Sequence, residues 1–122
     1  MKKVLLVEDD PFIRDLTSIK LTEQSYAVSV ASDGESVLES VHKDVPDVIL
    51  LDLDLPGMTG LEVLRRLKGD SDLKDIPVII FSNNDDEQTK KEATQLGTAG
   101  FFVKVSTAFE DLLAHIKEVT QQ

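Results

Sequence analysis

The chain has no cysteine and no tryptophan, and among its 122 residues only four are proline and six glycine. Without thiols there is neither a disulfide framework nor a thiolate metal site. No apolar run approaches 18 residues, so nothing in the sequence spans a bilayer as a helix. Met1-Lys2-Lys3 followed by Val4 to Val7 has the outline of an export signal, but Glu8-Asp9-Asp10 ends the run after four residues, too few for an export segment. The expected compartment is therefore the cytoplasm. Positive charge is also scarce: 13 Lys and Arg stand against 23 Asp and Glu, a net charge of -10. Such a chain cannot neutralise a row of phosphates, which argues against nucleic acid as a direct partner. Part of the acid serves solubility.

What is present is a domain-sized chain, 41% hydrophobic and 30% charged, read as one domain over residues 1–122. It is organised around Pro46 to Leu67, PDVILLDLDLPGMTGLEVLRRL. The apolar run Val48 to Leu51 suits a parallel strand covered on both faces. It stops at Asp52, and a carboxylate at the carboxyl end of such a strand lies where open α/β sheets bind ligands.

Lys3 to Val7 is the first strand, with Asp10 as N-cap and Pro11 at the first position of a helix. Phe12, Ile13, Leu16 and Ile19 form that helix's apolar stripe, and the helix ends near Gln24. Tyr26 to Ala31 alternates as a strand nearer the sheet edge, and Asp33-Gly34 turns the chain. Val37, Leu38 and Val41 line a second helix, closed by Pro46. After the central strand, Leu61, Leu64 and Leu67 stripe a third helix that stops at Gly69, with Glu62 and Arg66 paired on its outer side. Pro77 to Phe81 is a fourth strand ending on Ser82, and Glu87 to Leu96 a mostly exposed helix. Phe101 to Val103 is a fifth strand ending on Lys104. Phe109, Leu112, Leu113 and Ile116 give the last helix its apolar face. Five strand–helix units in alternation predict an α/β fold, a parallel sheet with helices on both faces.

In such a sheet every carboxyl end lies on one rim. Glu8 and Asp9, Asp52, Ser82 and Lys104 should therefore converge. Two carboxylates about 4 Å apart repel by roughly 4 kcal/mol near a protein surface, so either their pKa values rise or a cation joins them. Oxygen ligands favour a hard ion, Mg²⁺ (or Mn²⁺), which keeps waters and completes its shell with phosphate oxygen. A carboxylate beside such an ion, a lysine and a serine is a phosphoryl-acceptor arrangement, with Asp52 as nucleophile.

VLLVEDDP, PDVILLDLDLPGMTGLEVLRRL, IPVIIFS and FFVK, in this order and spacing, resemble the receiver domain of two-component response regulators and are similar to the chemotaxis-type single-domain regulators. The resemblance covers the whole chain. It implies a flavodoxin-like (βα)5 fold with strand order 2-1-3-4-5, and phosphorylation of Asp52 by a sensor histidine kinase or a histidine phosphotransfer protein. It matches Asp9 to the direct metal ligand, Glu8 to a ligand acting through water, and Asp54 to the backbone carbonyl ligand. Ser82 becomes the switch hydroxyl, Lys104 the phosphoryl-binding lysine and Phe101 the aromatic switch. The implied output is a changed surface on the fourth helix, fifth strand and fifth helix, for a downstream protein target, an effector domain or a homodimer formed on activation. No effector segment follows residue 122, so the chain is expected to be a stand-alone receiver or a piece of a larger regulator.

Four positions depart from the family pattern. Val105 stands where proline usually follows the lysine in a cis peptide, and the segment after Lys104 is one residue longer. Asn83 replaces a smaller residue and narrows access to Asp52, with Asn84 beside it. Asp54 adds a carboxylate that modulates the site. Phe101 lacks a tyrosine's hydroxyl.

Each piece also has an ordinary reading: Asp10 and Ser82 as caps, Lys104 as a solvated lysine, Phe101 as core. Convergence on one rim is what favours function. His42 and His115 have no second ligand nearby and receive no role. Two rival functions remain in view. Asp52-Leu53-Asp54 resembles the Asp-x-Asp of haloacid-dehalogenase-type phosphohydrolases, although that motif belongs on a first strand. Val105 and Asn83 suggest a phosphorylation-independent interaction module.

Overall fold

A computed structural model describes residues 1–121. The elements run β1 (Lys3–Val7), α1 (Pro11–Glu23), β2 (Ala27–Ala31), α2 (Gly34–Ser40), β3 (Val48–Leu51), α3 (Gly60–Lys68), β4 (Val78–Ser82), α4 (Glu87–Gln95), β5 (Gly100–Val103) and α5 (Phe109–Thr120). A short 3₁₀ turn, Lys104–Ser106, links β5 to α5. The five strands are parallel in the order β2-β1-β3-β4-β5. Element type, order and sheet topology thus follow the expectation.

Strand residues alternate between two apolar layers. Leu5, Val7, Ile49, Leu51, Val78 and Ile80 face a cluster with Val37, Val41, Val63, Leu64, Leu67 and Ala93, from α2 and its C-cap, α3 and α4. Val4, Leu6, Val48, Leu50 and Ile79 face Leu21, Leu112 and Ile116, from α1 and α5. All four residues of β3 are fully covered, as its unbroken apolar sequence requires.

The caps are where their chemistry puts them. Asp10 accepts from the N–H groups of Phe12 and Ile13, Asp33 from Ser36, Thr59 from Glu62 and Asp86 from Thr89. Asp33 is therefore the N-cap of α2, with Gly34 its first residue, where the sequence read only a turn.

One expectation fails. The stripe assigned to α1 does not face the sheet: Phe12 is 74% exposed, Ile19 58% and Leu16 43%. The helix buries Thr17 and Leu21 instead, one turn apart on a neighbouring face. Thr17 is short enough for the helix to lie close to the sheet, so the inward face of α1 is narrow and partly polar. Among the remaining helices the predicted stripes hold, with Leu64, Leu67, Leu112 and Ile116 fully buried.

Two glycines shape the approach to the strand ends. Gly57 turns the β3–α3 loop with φ +74°, a conformation that costs residues with a side chain about 1–2 kcal/mol. Gly60 begins α3 against the chain leaving β3, where a Cβ would come within 2.6 Å of the Leu53 Cα. Its missing side chain lets α3 start directly beneath Asp52.

Candidate functional site

Asp52 follows β3 immediately, and its N–H donates to the Val7 carbonyl, which extends the β1–β3 ladder by one bond. Its carboxylate is nearly buried, with the side chain 7% exposed. Oδ1 accepts from the Ser82 hydroxyl at 2.7 Å and from the Asp54 backbone N–H at 3.1 Å. Oδ2 accepts from Lys104 Nζ at 2.9 Å. The same ammonium donates to Glu8 Oε1, while Glu8 Oε2 accepts from the Asp10 N–H at 3.2 Å. Lys104 Nζ also lies over the face of Phe81, 5.8 Å from its ring centre.

The side chains that reach Asp52 come from the ends of the neighbouring strands. Ser82 closes β4 beside Val103, the last residue of β5, and Lys104 is the next residue along. The 3₁₀ turn that begins at Lys104 leaves its side chain directed inward, as the family resemblance expects.

Burial raises the energy of every charge here, and the outcome depends on how many donors each group has. For Asp52, burial pushes the carboxyl up, but the bonds from Ser82, Lys104 and Asp54 together hold it below its ordinary value. For Glu8, burial wins over Lys104 and holds the carboxyl above its ordinary value. Lys104 is also opposed by burial, yet its two carboxylate partners raise it, so it remains an ammonium.

Glu8, Asp9 and Asp52 bring carboxylate oxygens within 4.8 Å of one another. Asp9 is exposed and Glu8 and Asp52 are covered, giving a site open on one side. One ammonium against three carboxylates leaves an excess of negative charge. An all-oxygen set of this kind fits a hard divalent cation such as Mg²⁺. A depression lined by Glu8, Asp9, Asp10, Pro11, Ile13, Asp52, Asp54, Asn83 and Lys104 surrounds the cluster. Asp54 reaches Asp52 through its backbone, with its side chain exposed. Asn84 donates its N–H to Ser82 Oγ at 3.3 Å.

Phe101 is half-buried against the α2–α4 layer, with Lys90 Nζ 5.7 Å from its ring centre. It does not touch the cluster. His42 reaches Asp70 at 3.1 Å and His115 packs edge-on against Phe102, both away from Asp52. Two features escaped the sequence reading: the Asp54 N–H on Asp52, and Asn83 Oδ1 accepting from the Val105 N–H at 2.9 Å. The first is a backbone contact with no residue signature. The second had a signal, a free N–H where proline is usual and a nearby carboxamide, but spacing alone could not pair them.

A doubly wound parallel sheet that gathers a carboxylate, a hydroxyl and an ammonium at adjacent strand ends belongs to the class of open α/β domains that bind ligands outside the carboxyl ends of their strands. Within that class, residues 4–117 match the family described as response regulator receiver domain, and the chain belongs to it. It is 36% identical over 102 residues to the response regulator PleD of Caulobacter vibrioides, covering 84% of this chain and 22% of that protein. It is 34% identical over 122 residues to the sensory transduction protein RegX3 of Mycolicibacterium smegmatis, covering 100% of this chain and 52% of that protein. Among solved structures, the chemotaxis protein CheY4 of Vibrio cholerae superposes with a TM-score of 0.88 at 33% identity, covering 98% of both chains. The chain thus spans about half or less of the length of these two curated relatives. Among the described residues, no helix is long and apolar enough to cross a membrane.

Proposed function

We propose that Asp52 accepts a phosphoryl group from a phosphohistidine donor, a sensor histidine kinase or a histidine phosphotransfer protein. The observation that carries this reading is the complete coordination of one buried carboxylate, by Ser82 and Asp54 on one oxygen and Lys104 on the other. Those donors hold Asp52 ionised, as a nucleophile must be.

In the transfer, an Asp52 oxygen forms the new O–P bond while the donor's P–N bond breaks. The electron pair stays with the imidazole nitrogen, which takes a proton from solvent. Lys104 is placed to follow the charge from Oδ2 to a phosphoryl oxygen, and Ser82 to move its hydroxyl from Oδ1 to another. Glu8, Asp9, Asp52 and the Asp54 carbonyl would hold Mg²⁺ or Mn²⁺, which supplies neutralisation of phosphoryl charge. The domain thus catalyses only its own phosphorylation and dephosphorylation.

The new contacts of Ser82 and Lys104 exist only in the phosphorylated state, so they bias two conformations by their full difference. Phe101, half-buried next to β4, would follow Ser82 and alter the α4–β5–α5 face. That face would then bind a downstream protein, an effector domain or a second copy, in the cytoplasm. Intact-mass measurement with acetyl phosphate tests the reading: one phosphoryl adduct, dependent on Mg²⁺ and absent in Asp52→Asn. An unlabelled wild type would favour an interaction module that works without phosphorylation.

A further inference from the structure

Ser82 at the end of β4 and Lys104 just after β5 reach the two oxygens of Asp52, and a hydrogen bond joins the loops that follow these strands. The Val105 N–H donates to Asn83 Oδ1 at 2.9 Å across 22 residues of sequence. Little else fixes Val105. The residue is 82% exposed, so packing does not hold it. It lies inside a 3₁₀ turn whose N-cap, Val103, makes no side-chain capping bond. The first N–H groups of a helical turn have no partner within it, and the Asn83 carboxamide supplies one from outside.

The contacts close a ring. Asp52 Oδ1 meets Ser82, Ser82 is bonded to Asn83, Asn83 meets Val105, and Val105 is bonded to Lys104, which returns to Asp52 Oδ2. We propose that Asn83 is a positioning residue that holds the 3₁₀ turn so that Lys104 stays on Asp52, and makes the two loops move as one. This rests on the reading of Asp52 as phosphoryl acceptor. Asn83 itself is exposed and touches no reacting atom. Its size is a separate matter, since a lid over the site would need only bulk.

Asn83→Leu keeps the bulk and removes the acceptor, and Asn83→Ala removes both. Positioning predicts that Asn83→Leu is phosphorylated about tenfold more slowly by acetyl phosphate with Mg²⁺, less than the roughly 100-fold of a 1 Å misplacement. A lid predicts an unchanged Asn83→Leu and a faster Asn83→Ala, and that result overturns the proposal. Two NMR readouts on unphosphorylated protein stand apart from activity. In Asn83→Leu the Val105 amide should exchange about tenfold faster, and the Lys104 side-chain resonances should move toward those of a free lysine. Asn83→Asp, which keeps the acceptor, should restore both. If both signals in Asn83→Leu match wild type, the tie does not position Lys104. If wild type takes no label while these signals respond, the phosphoacceptor reading fails and the tie stands.

Discussion

The β1–α1 and β3–α3 units are built to one plan and end up different. Each is an apolar strand that stops on acid, then a capped helix with apolar residues at helical spacing. Asp52, at the end of β3, is held below its ordinary pKa by three donors, while Glu8, at the end of β1, is held above its own by burial. The leucines of α3 lie under the sheet, whereas the stripe of α1 faces solvent. The difference follows from position. Strand β3 is central, and its helix enters the α2–α4 layer through Gly60. Strand β1 is flanked by the edge strand β2, and the sheet face beyond α1 needs only Thr17 and Leu21 to close it.

The largest test of that contrast is Leu64→Ala. Leu64 is fully buried, so truncation should cost about 2–5 kcal/mol through lost burial and an unfilled cavity. Denaturant unfolding reads it directly. A cost near zero would mean that α3 is no better packed than α1.

Gly60→Ala comes next. Its Cβ would press on the Leu53 backbone, and overpacking of this kind costs about 1–3 kcal/mol. A gain in helix propensity of at most about 1 kcal/mol offsets part of it. Because the pressure falls beside Asp52, phosphorylation by acetyl phosphate should slow as well. A variant as stable and as fast as wild type would show that the close approach is not needed.

The two carboxylates can be set against each other by pH, in chelator and without divalent ions. A depressed folded pKa makes Asp52 stabilising above its unfolded value of about 3.9, a contribution lost as pH falls through the lower folded value. Glu8 has the opposite sign. Its folded pKa is raised, so stability falls as pH rises from about 4.3 through that higher value. Relative to wild type, Asp52→Asn should therefore lose ground as pH rises out of acid, and Glu8→Gln should gain it. Parallel curves for the two variants would remove the asymmetry between the strand ends.

Strand ends were legible because parallel topology converts sequence position into place. Once five apolar runs alternate with helices, the residues after them must share a rim, and Glu8, Asp52, Ser82 and Lys104 do. Helix rotation was not legible in the same way. Periodicity reports that Phe12, Leu16 and Ile19 share a side of α1, but it does not report which side meets the sheet. Thr17 carries no apolar signal and took the inward place. The bond between Asn83 and Val105 needed the loops' actual path, which local residue chemistry does not determine.

The smallest expected effect tests the exposed side of α1. Phe12→Ser and Ile19→Ser replace side chains that are 74% and 58% exposed. Each should change stability by within about 0.5 kcal/mol, as surface substitutions do. Both residues lie in the middle or first turn of a helix whose cap, Asp10, is untouched, and serine lowers helix propensity by no more than about 0.7 kcal/mol. A loss of 2 kcal/mol or more in either variant would put the stripe of α1 in the core after all. It would then make α1 the counterpart of α3 rather than its contrast.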